Sequence, residues 1–185
     1  MKKRYFFLLV MVLVALFRAP IFRYCVSYEP VGKRNFTPLE VSPLTDTIDA
    51  WIMNHPDAAP EEWIDYALKL TARTASFGID GSTGDPEKIL TGRKANCVGY
   101  SRLFAGIIHR LNKGKHWLRQ EILIGKLSLF GWDLHKLSND PFWGNHDYNR
   151  LSDDHGEKLY IVDPTLYDYT SIKYLEQIGD KTTYF

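Results

Sequence analysis

The chain has 185 residues, 45% hydrophobic and 14% aromatic, which suffices for one well-packed core and leaves little for a second. Its formal charge of +1 hides an asymmetry: residues 1–27 hold Lys2, Lys3, Arg4, Arg18 and Arg23 and no acid, leaving 18 basic against 22 acidic side chains beyond them. That remainder, at −4, excludes a nucleic-acid-binding surface as the main business of the domain.

Three basic residues precede an unbroken apolar run from Tyr5 to Phe17, the pattern of an export signal. A helix of that length covers about 20 Å against a hydrocarbon core of about 30 Å. A span would therefore extend to Val26, with Arg18 and Arg23 snorkelling. No small-x-small site follows the run and Pro20 comes directly after Ala19, which favours an uncleaved anchor with Lys2 to Arg4 on the cytoplasmic side. Cleavage would instead release a secreted or periplasmic domain. Of the two cysteines, Cys25 lies at the edge of this leader, where Phe22, Arg23 and Tyr24 do not make a lipidation signal, and Cys97 lies deep in the domain. Nothing suggests a disulfide between them. Three segments are expected: 1–27 as signal or anchor, 28–47 as a Pro-, Thr- and Ser-rich linker, and 48–185 as one globular domain.

Thr45 to Met53 predicts a short helix. A stronger one opens at Pro60-Glu61-Glu62, with proline in the first turn, acids near the positive end of the dipole, and Trp63, Tyr66, Ala67 and Leu70 at helical spacing. It should stop near Gly78. Residues 78–85 form a turn-rich loop, after which Asp85-Pro86-Glu87 caps a small helix through Leu90. Asn96 then caps the next helix, whose apolar stripe runs through Cys97, Tyr100, Phe104, Ile107, Ile108 and Leu111, while Asn112 to Gly114 ends it. Segments of β character follow at Gln120–Leu129, Asp147–Leu151 and Lys158–Val162, interrupted by a turn-rich, aromatic excursion over 130–145. Helices first and antiparallel-looking strands after predict an α+β domain.

A thiol attacks as thiolate, and the first turn of a helix supplies a positive field that favours it. Cys97 occupies that position; as an isolated feature it reads equally well as a small buried residue. Residues 146–151 and 158–163 flank a turn-forming segment, Ser152 to Glu157, and read as a hairpin. A register with Leu151 facing Lys158 sets His146 directly across from Asp163 on one face, where the carboxylate can accept an imidazole N–H and leave the other ring nitrogen to a thiol. A one-residue slip would separate them. The other histidines serve less well as base. His109 lies twelve residues beyond Cys97 on the same helix, roughly 18 Å away. His155 sits in the hairpin turn, His116 follows the helix stop among lysines, and His135 belongs to the aromatic excursion.

The stretch Lys94-Ala95-Asn96-Cys97-Val98-Gly99-Tyr100-Ser101, then His146-Asp147-Tyr148, then Tyr160-Ile161-Val162-Asp163-Pro164-Thr165 resembles the transglutaminase-like superfamily. So does the preceding Asp85-Pro86-Glu87-Lys88-Ile89-Leu90. The resemblance covers about residues 60–168 and implies a papain-like core, in which a cysteine-bearing helix packs on an antiparallel sheet that presents the other two groups. It implies Cys97 as nucleophile, His146 as base, Asp163 as orienting carboxylate and the Cys97 backbone N–H as one oxyanion donor. Ala95 stands where a glycine is usual before the cysteine, and Asp147-Tyr148 replaces the usual small residue and tryptophan after the histidine.

The implied chemistry is acyl transfer on an amide through a thioester, with hydrolysis favoured over crosslinking because water is abundant. A peptide, protein or cell-wall amide is the expected substrate, no cofactor is expected, and Phe130, Trp132, Phe142 and Trp143 are candidates to wall the site. A rival class is an anchored binding or structural module that keeps the fold without thiol chemistry. A third is a metal site drawn from Asp133, His135, His146, Asp147, Asp153, Asp154 and His155, which lacks a spaced ligand motif.

Overall fold

A computed structural model describes residues 2–17, 22, 24–78, 83–115, 117–137, 144–156 and 158–178. The chain forms two compact units, one of residues 1–29 with 126–145 and a larger one of residues 30–125 with 146–185.

The larger unit is α+β. Strand β1 (Val26–Arg34) enters it from residue 30, followed by α2 (Pro43–Asn54) and α3 (Pro60–Thr74), α1 (Lys2–Leu16) belonging to the smaller unit. Both helices start as their sequences dictate. The Ser42 N–H donates to Thr45 Oγ1 at 2.8 Å and the Ala59 N–H to Glu62 Oε2 at 2.8 Å, so side chains satisfy donors that a helix start leaves orphaned. Helix α3 buries Trp63, Ile64, Ala67, Leu68 and Thr71 and ends at Thr74 rather than near Gly78, because the chain turns straight into β2 (Ser76–Phe77). This short strand pairs in parallel with β3 (Lys94–Ala95). Between them lies α4 (Pro86–Gly92), whose cap Asp85 accepts from the Glu87 N–H at 3.1 Å.

Helix α5 (Cys97–Leu111) is the centre of the unit, touching α2, α3, α4 and strand β6 (His146–Asp153). Tyr100, Leu103, Phe104, Ile107, Ile108 and Leu111 are buried along it and join Trp63, Ile64, Leu68, Leu151, Tyr160 and Val162 in one apolar core. The sheet order is β1, β4 (Leu118–Leu129), β6, β7 (Lys158–Val162) and β8 (Leu175–Ile178). The β4–β6, β6–β7 and β7–β8 pairings are antiparallel. Helix α6 (Pro164–Thr170) follows β7 directly.

Where a linker was expected over 28–47, the chain instead makes the edge strand β1 and the start of α2. The hairpin register also differs from expectation: Leu151 faces Tyr160 and Asn149 faces Val162, because β6 runs on to Asp153 and the turn is shorter than its composition suggests. The shift is two residues, so each side chain keeps its face.

The smaller unit holds α1 (Lys2–Leu16) and β5 (Trp132–Asp133), which folds back on the end of β4 with Leu129 opposite Trp132. A short 3-10 turn follows at Leu134–Leu137. Phe130 and Gly131 form the connecting turn at φ of 52° and 76°, and the Phe130 N–H donates to the Cys25 carbonyl at 2.7 Å. Tyr5, Phe6, Phe7, Leu9 and Met11 of α1 are exposed. No described helix is long and apolar enough to cross a membrane; Arg18 and Arg23 of the expected leader lie outside the described residues, as do Phe142 and Trp143 of the aromatic excursion.

Candidate active site

Cys97 is the first residue of α5, and the local sequence puts it there. Ala95 ends the short parallel pair, and Asn96 takes an extended conformation, accepting the Gly99 N–H on Oδ1 at 3.1 Å and the Tyr100 N–H on its carbonyl at 3.0 Å. A side-chain oxygen at this position satisfies an orphaned donor of the first turn. The cysteine is half-buried and carries no disulfide. Gly99 lets the start of the helix press against its surroundings: a Cβ there would meet the Thr83 carbonyl oxygen at 2.3 Å and Ala95 Cβ at 3.0 Å.

One turn further on, Ser101 is fully buried and its Oγ donates to the Asp147 carbonyl at 2.9 Å. That bond fastens α5 to the start of β6, beside His146. On the far side of β6, Gly125 of β4 pairs with His146, while the continuing register sets Asp163 level with Tyr148. His146 and Asp163 are therefore diagonal rather than opposed neighbours on one face, a separation that long side chains bridge. His146 Nε2 lies 2.6 Å from Asp163 Oδ2, and Cys97 acts on the same imidazole ring, raising its pKa. With Nε2 engaged by the carboxylate, Nδ1 is the ring nitrogen left for sulfur. Cys97, His146 and Asp163 thus meet in the larger unit.

Asp163 does two jobs with its two oxygens. Oδ2 holds the imidazole, and Oδ1 caps α6 by accepting the Thr165 and Leu166 N–H groups at 3.1 and 3.0 Å. The cap locks the carboxylate in place, so its orientation does not depend on the histidine. Helix α6 is tied back to the cysteine helix by Tyr100, whose hydroxyl donates to Asp168 at 2.7 Å. Burial and then that carboxylate push the Tyr100 hydroxyl far up, so it stays a donor.

The imidazole side chain is only 12% exposed, and Asp163 only 5%. Burial pulls the His146 pKa down, but the charge and hydrogen bond of Asp163, aided by Cys97, outweigh it and push the value up to about 10. The ring therefore holds its proton firmly as an imidazolium.

Asp147, the departure next to His146, engages neither of these groups. Its side chain, 2% exposed, is gripped by Arg34 through the guanidinium Nε and through Nη2, the latter at 2.9 Å. Alternation along β6 turns successive side chains to opposite faces, which accounts for the separate roles of His146 and Asp147. Arg34 and Ser101 did not stand out in the sequence. Ser101, a hydroxyl on an apolar stripe four residues after the cysteine, carries a readable signal; Arg34, in a segment whose composition is that of a linker, carries none.

Of the other histidines among the described residues, His55 stacks on Trp51 with ring centroids 4.5 Å apart. His109 packs its ring against Phe36 with centroids 5.0 Å apart, His155 is exposed in the β6–β7 turn, and His135 accepts the Leu127 N–H at 3.0 Å within the smaller unit. His116 lies outside the described residues. Among the described residues no group of three or more His, Cys, Asp or Glu side chains could hold a metal ion, so the acids and histidines proposed for a metal site do not assemble there. Comparison with family models, curated proteins and solved structures found no match to this chain.

Proposed function

We propose that the chain is a thiol-dependent acyl-transfer enzyme of the transglutaminase-like kind with a papain-like core, in which Cys97 is nucleophile, His146 base and Asp163 the positioning carboxylate. The observation that carries this reading is the single imidazole shared between the Cys97 thiol and Asp163, the latter at 2.6 Å. A structural cysteine needs no such partner, and a histidine wedged between a thiol and a carboxylate is the arrangement that moves a proton off sulfur.

In the resting pair the proton sits on His146, and in the forward step the Cys97 sulfur attacks the carbonyl carbon of an amide. The tetrahedral oxyanion is met by the helix start, whose backbone N–H groups point outward. Collapse breaks the C–N bond, the proton on His146 leaves with the amine, and a thioester remains on Cys97. Water then attacks the thioester, giving its proton to His146, and the carboxylic acid departs as the resting pair is restored. An amine in place of water would give transamidation; the abundance of water favours hydrolysis of a peptide, protein or cell-wall amide. The basic, then apolar N-terminal run supports a domain held at a membrane and facing outward, or released if the run is removed.

The test is alkylation of the full-length Cys25→Ser protein by iodoacetamide, with the modified residue located by mass spectrometry. Rapid labelling of Cys97 well below about pH 8, lost in His146→Asn, is expected of this site. A Cys97 that resists the reagent in the folded protein would favour the non-catalytic binding or structural module instead.

A further inference from the structure

The smaller unit exposes a group of large apolar side chains. Trp132 is 78% exposed and Phe130 70%, and Leu129 and Tyr24 are exposed beside them. Exposed apolar residues scattered singly are ordinary on a protein surface, whereas a group of large ones marks a contact. These four are held together by bonding as well as by sequence. Leu129 pairs with Trp132 across the β4–β5 turn, and the Phe130 N–H donates at 2.7 Å to the carbonyl of Cys25, the residue after Tyr24. The turn is also strained. Phe130 holds a φ of 52°, a left-handed conformation that glycine or asparagine takes readily and that is an outlier for a bulky side chain. Packing does not offset the strain, because the ring is in solvent. Strain kept at an exposed aromatic points to a contact made outside the chain.

What makes that contact follows from what the hairpin is bonded to. Cys25 lies at the end of the N-terminal stretch that begins with Lys2, Lys3 and Arg4 and runs through the apolar residues Tyr5 to Phe17. In α1, which belongs to the same unit, Tyr5, Phe6, Phe7, Leu9 and Met11 are all exposed. Consecutive helical positions point about 100° apart, so this helix is apolar on every side, and lipid suits it better than a one-sided protein groove. The expected span from Tyr5 to Val26 measures about 33 Å as a helix, which matches a hydrocarbon core of about 30 Å. That span sets Cys25 at the boundary with the lipid headgroups. The bond from Phe130 to Cys25 brings the hairpin tip to the same level, where tryptophan and tyrosine are favoured because each ring has an apolar body and a polar end.

We infer that the β4–β5 hairpin tip, Leu129 to Trp132, together with Tyr24, seats in the headgroup region of the lipid bilayer that holds α1. This rests on the reading of the N-terminal run as a membrane anchor. One helix tethers a unit without fixing its tilt; a second contact at the bilayer surface fixes it.

The test reconstitutes the full-length protein in vesicles of phosphatidylcholine and phosphatidylglycerol, with Trp132→Phe beside it. Trp132 is one of five tryptophans, and the difference between parent and variant isolates the emission of that one indole. When the lipids carry bromine near the headgroup end of the acyl chain, the parent should lose a larger fraction of its tryptophan emission than Trp132→Phe. The difference emission should also be shifted to the blue and protected from iodide in the water. Phe130→Asn, whose side chain tolerates the left-handed backbone, should lower the quenching by brominated lipid. Equal fractional losses in parent and Trp132→Phe overturn the docking, and a dimer of the parent in nanodiscs would then identify a second copy as the occupant. Should Trp132→Phe fail to fold, unchanged quenching in Phe130→Asn overturns it in the same way. A parent that fails to float with the vesicles overturns instead the anchor reading on which the docking rests.

Discussion

Replacing Asp163 by Asn separates the two jobs of that side chain. The Asn Oδ1 can still accept the Thr165 and Leu166 N–H groups that Asp163 now receives at 3.1 and 3.0 Å, so α6 keeps its cap. What is lost is the negative charge 2.6 Å from His146 Nε2, the main influence holding the imidazole pKa up against burial. A hydrogen bond to a charged group contributes about 2 kcal/mol, and at about 1.4 kcal/mol per factor of ten the imidazolium becomes about thirtyfold harder to form. The His146 imidazole titration, followed by NMR, should therefore move down by about 1.5 pH units from its value of about 10. Near pH 6 the imidazolium is formed in both proteins, and their second-order rate constants for iodoacetamide at Cys97 should agree within about threefold. Asp163→Ala should show the same downward shift and in addition cost about 1 kcal/mol of stability for the missing cap. A profile for Asp163→Asn superimposable on the parent's at every pH would refute the role assigned to the carboxylate.

Gly99→Ala should destabilise the protein by about 2 kcal/mol in urea unfolding, since the added Cβ meets a backbone carbonyl at 2.3 Å rather than a yielding side chain; an unchanged midpoint would contradict the packing of α5 on the Thr83 segment. Asn96→Ala should cost about 1 kcal/mol and Asn96→Asp almost nothing, because only a side-chain acceptor for the Gly99 N–H is needed; equal losses in thermal melts would contradict that cap. His146 predicts a pH dependence of stability. Its folded-state value of about 10 lies above the ordinary histidine range, so the contribution is complete below about pH 6.5 and is lost as pH rises toward 10, with a slope of at most about 1.4 kcal/mol per unit. Denaturant midpoints should decline over that window in the parent and stay flatter in His146→Asn; parallel curves would refute it.

Several elements were readable because independent signals agreed. Helix α5 carries a capping Asn96, an unbroken apolar stripe and a polar stop at Asn112, and its observed limits, Cys97–Leu111, match that reading. Proline with two following acids marked the start of α3 at Pro60, and β7 showed up as a β-rich run bounded by turn residues. The hairpin register was missed because the turn composition of Ser152 and Asp153 hid that both still belong to β6. The error was an even number of residues, so the expected pairing of faces survived although the expected opposition of His146 and Asp163 did not. Strand β1 was missed for a different reason. An edge strand with one hydrogen-bonded side carries charges such as Lys33 and Arg34 and shows little hydropathic alternation, so its pattern looks like a linker. The reach of Arg34 across β4 to Asp147 is a property of sheet order, which no local window contains.

The proposed mechanism requires Cys97 to give up its proton to His146 in the resting protein. Titrating the ultraviolet absorbance of the thiolate in Cys25→Ser, with Cys25→Ser/Cys97→Ser as blank, measures this without any substrate. A thiolate signal already present near pH 6 and abolished in that range by His146→Asn is expected. A signal that rises only in the range of an ordinary exposed thiol, above about pH 8, and is indifferent to His146 would contradict it.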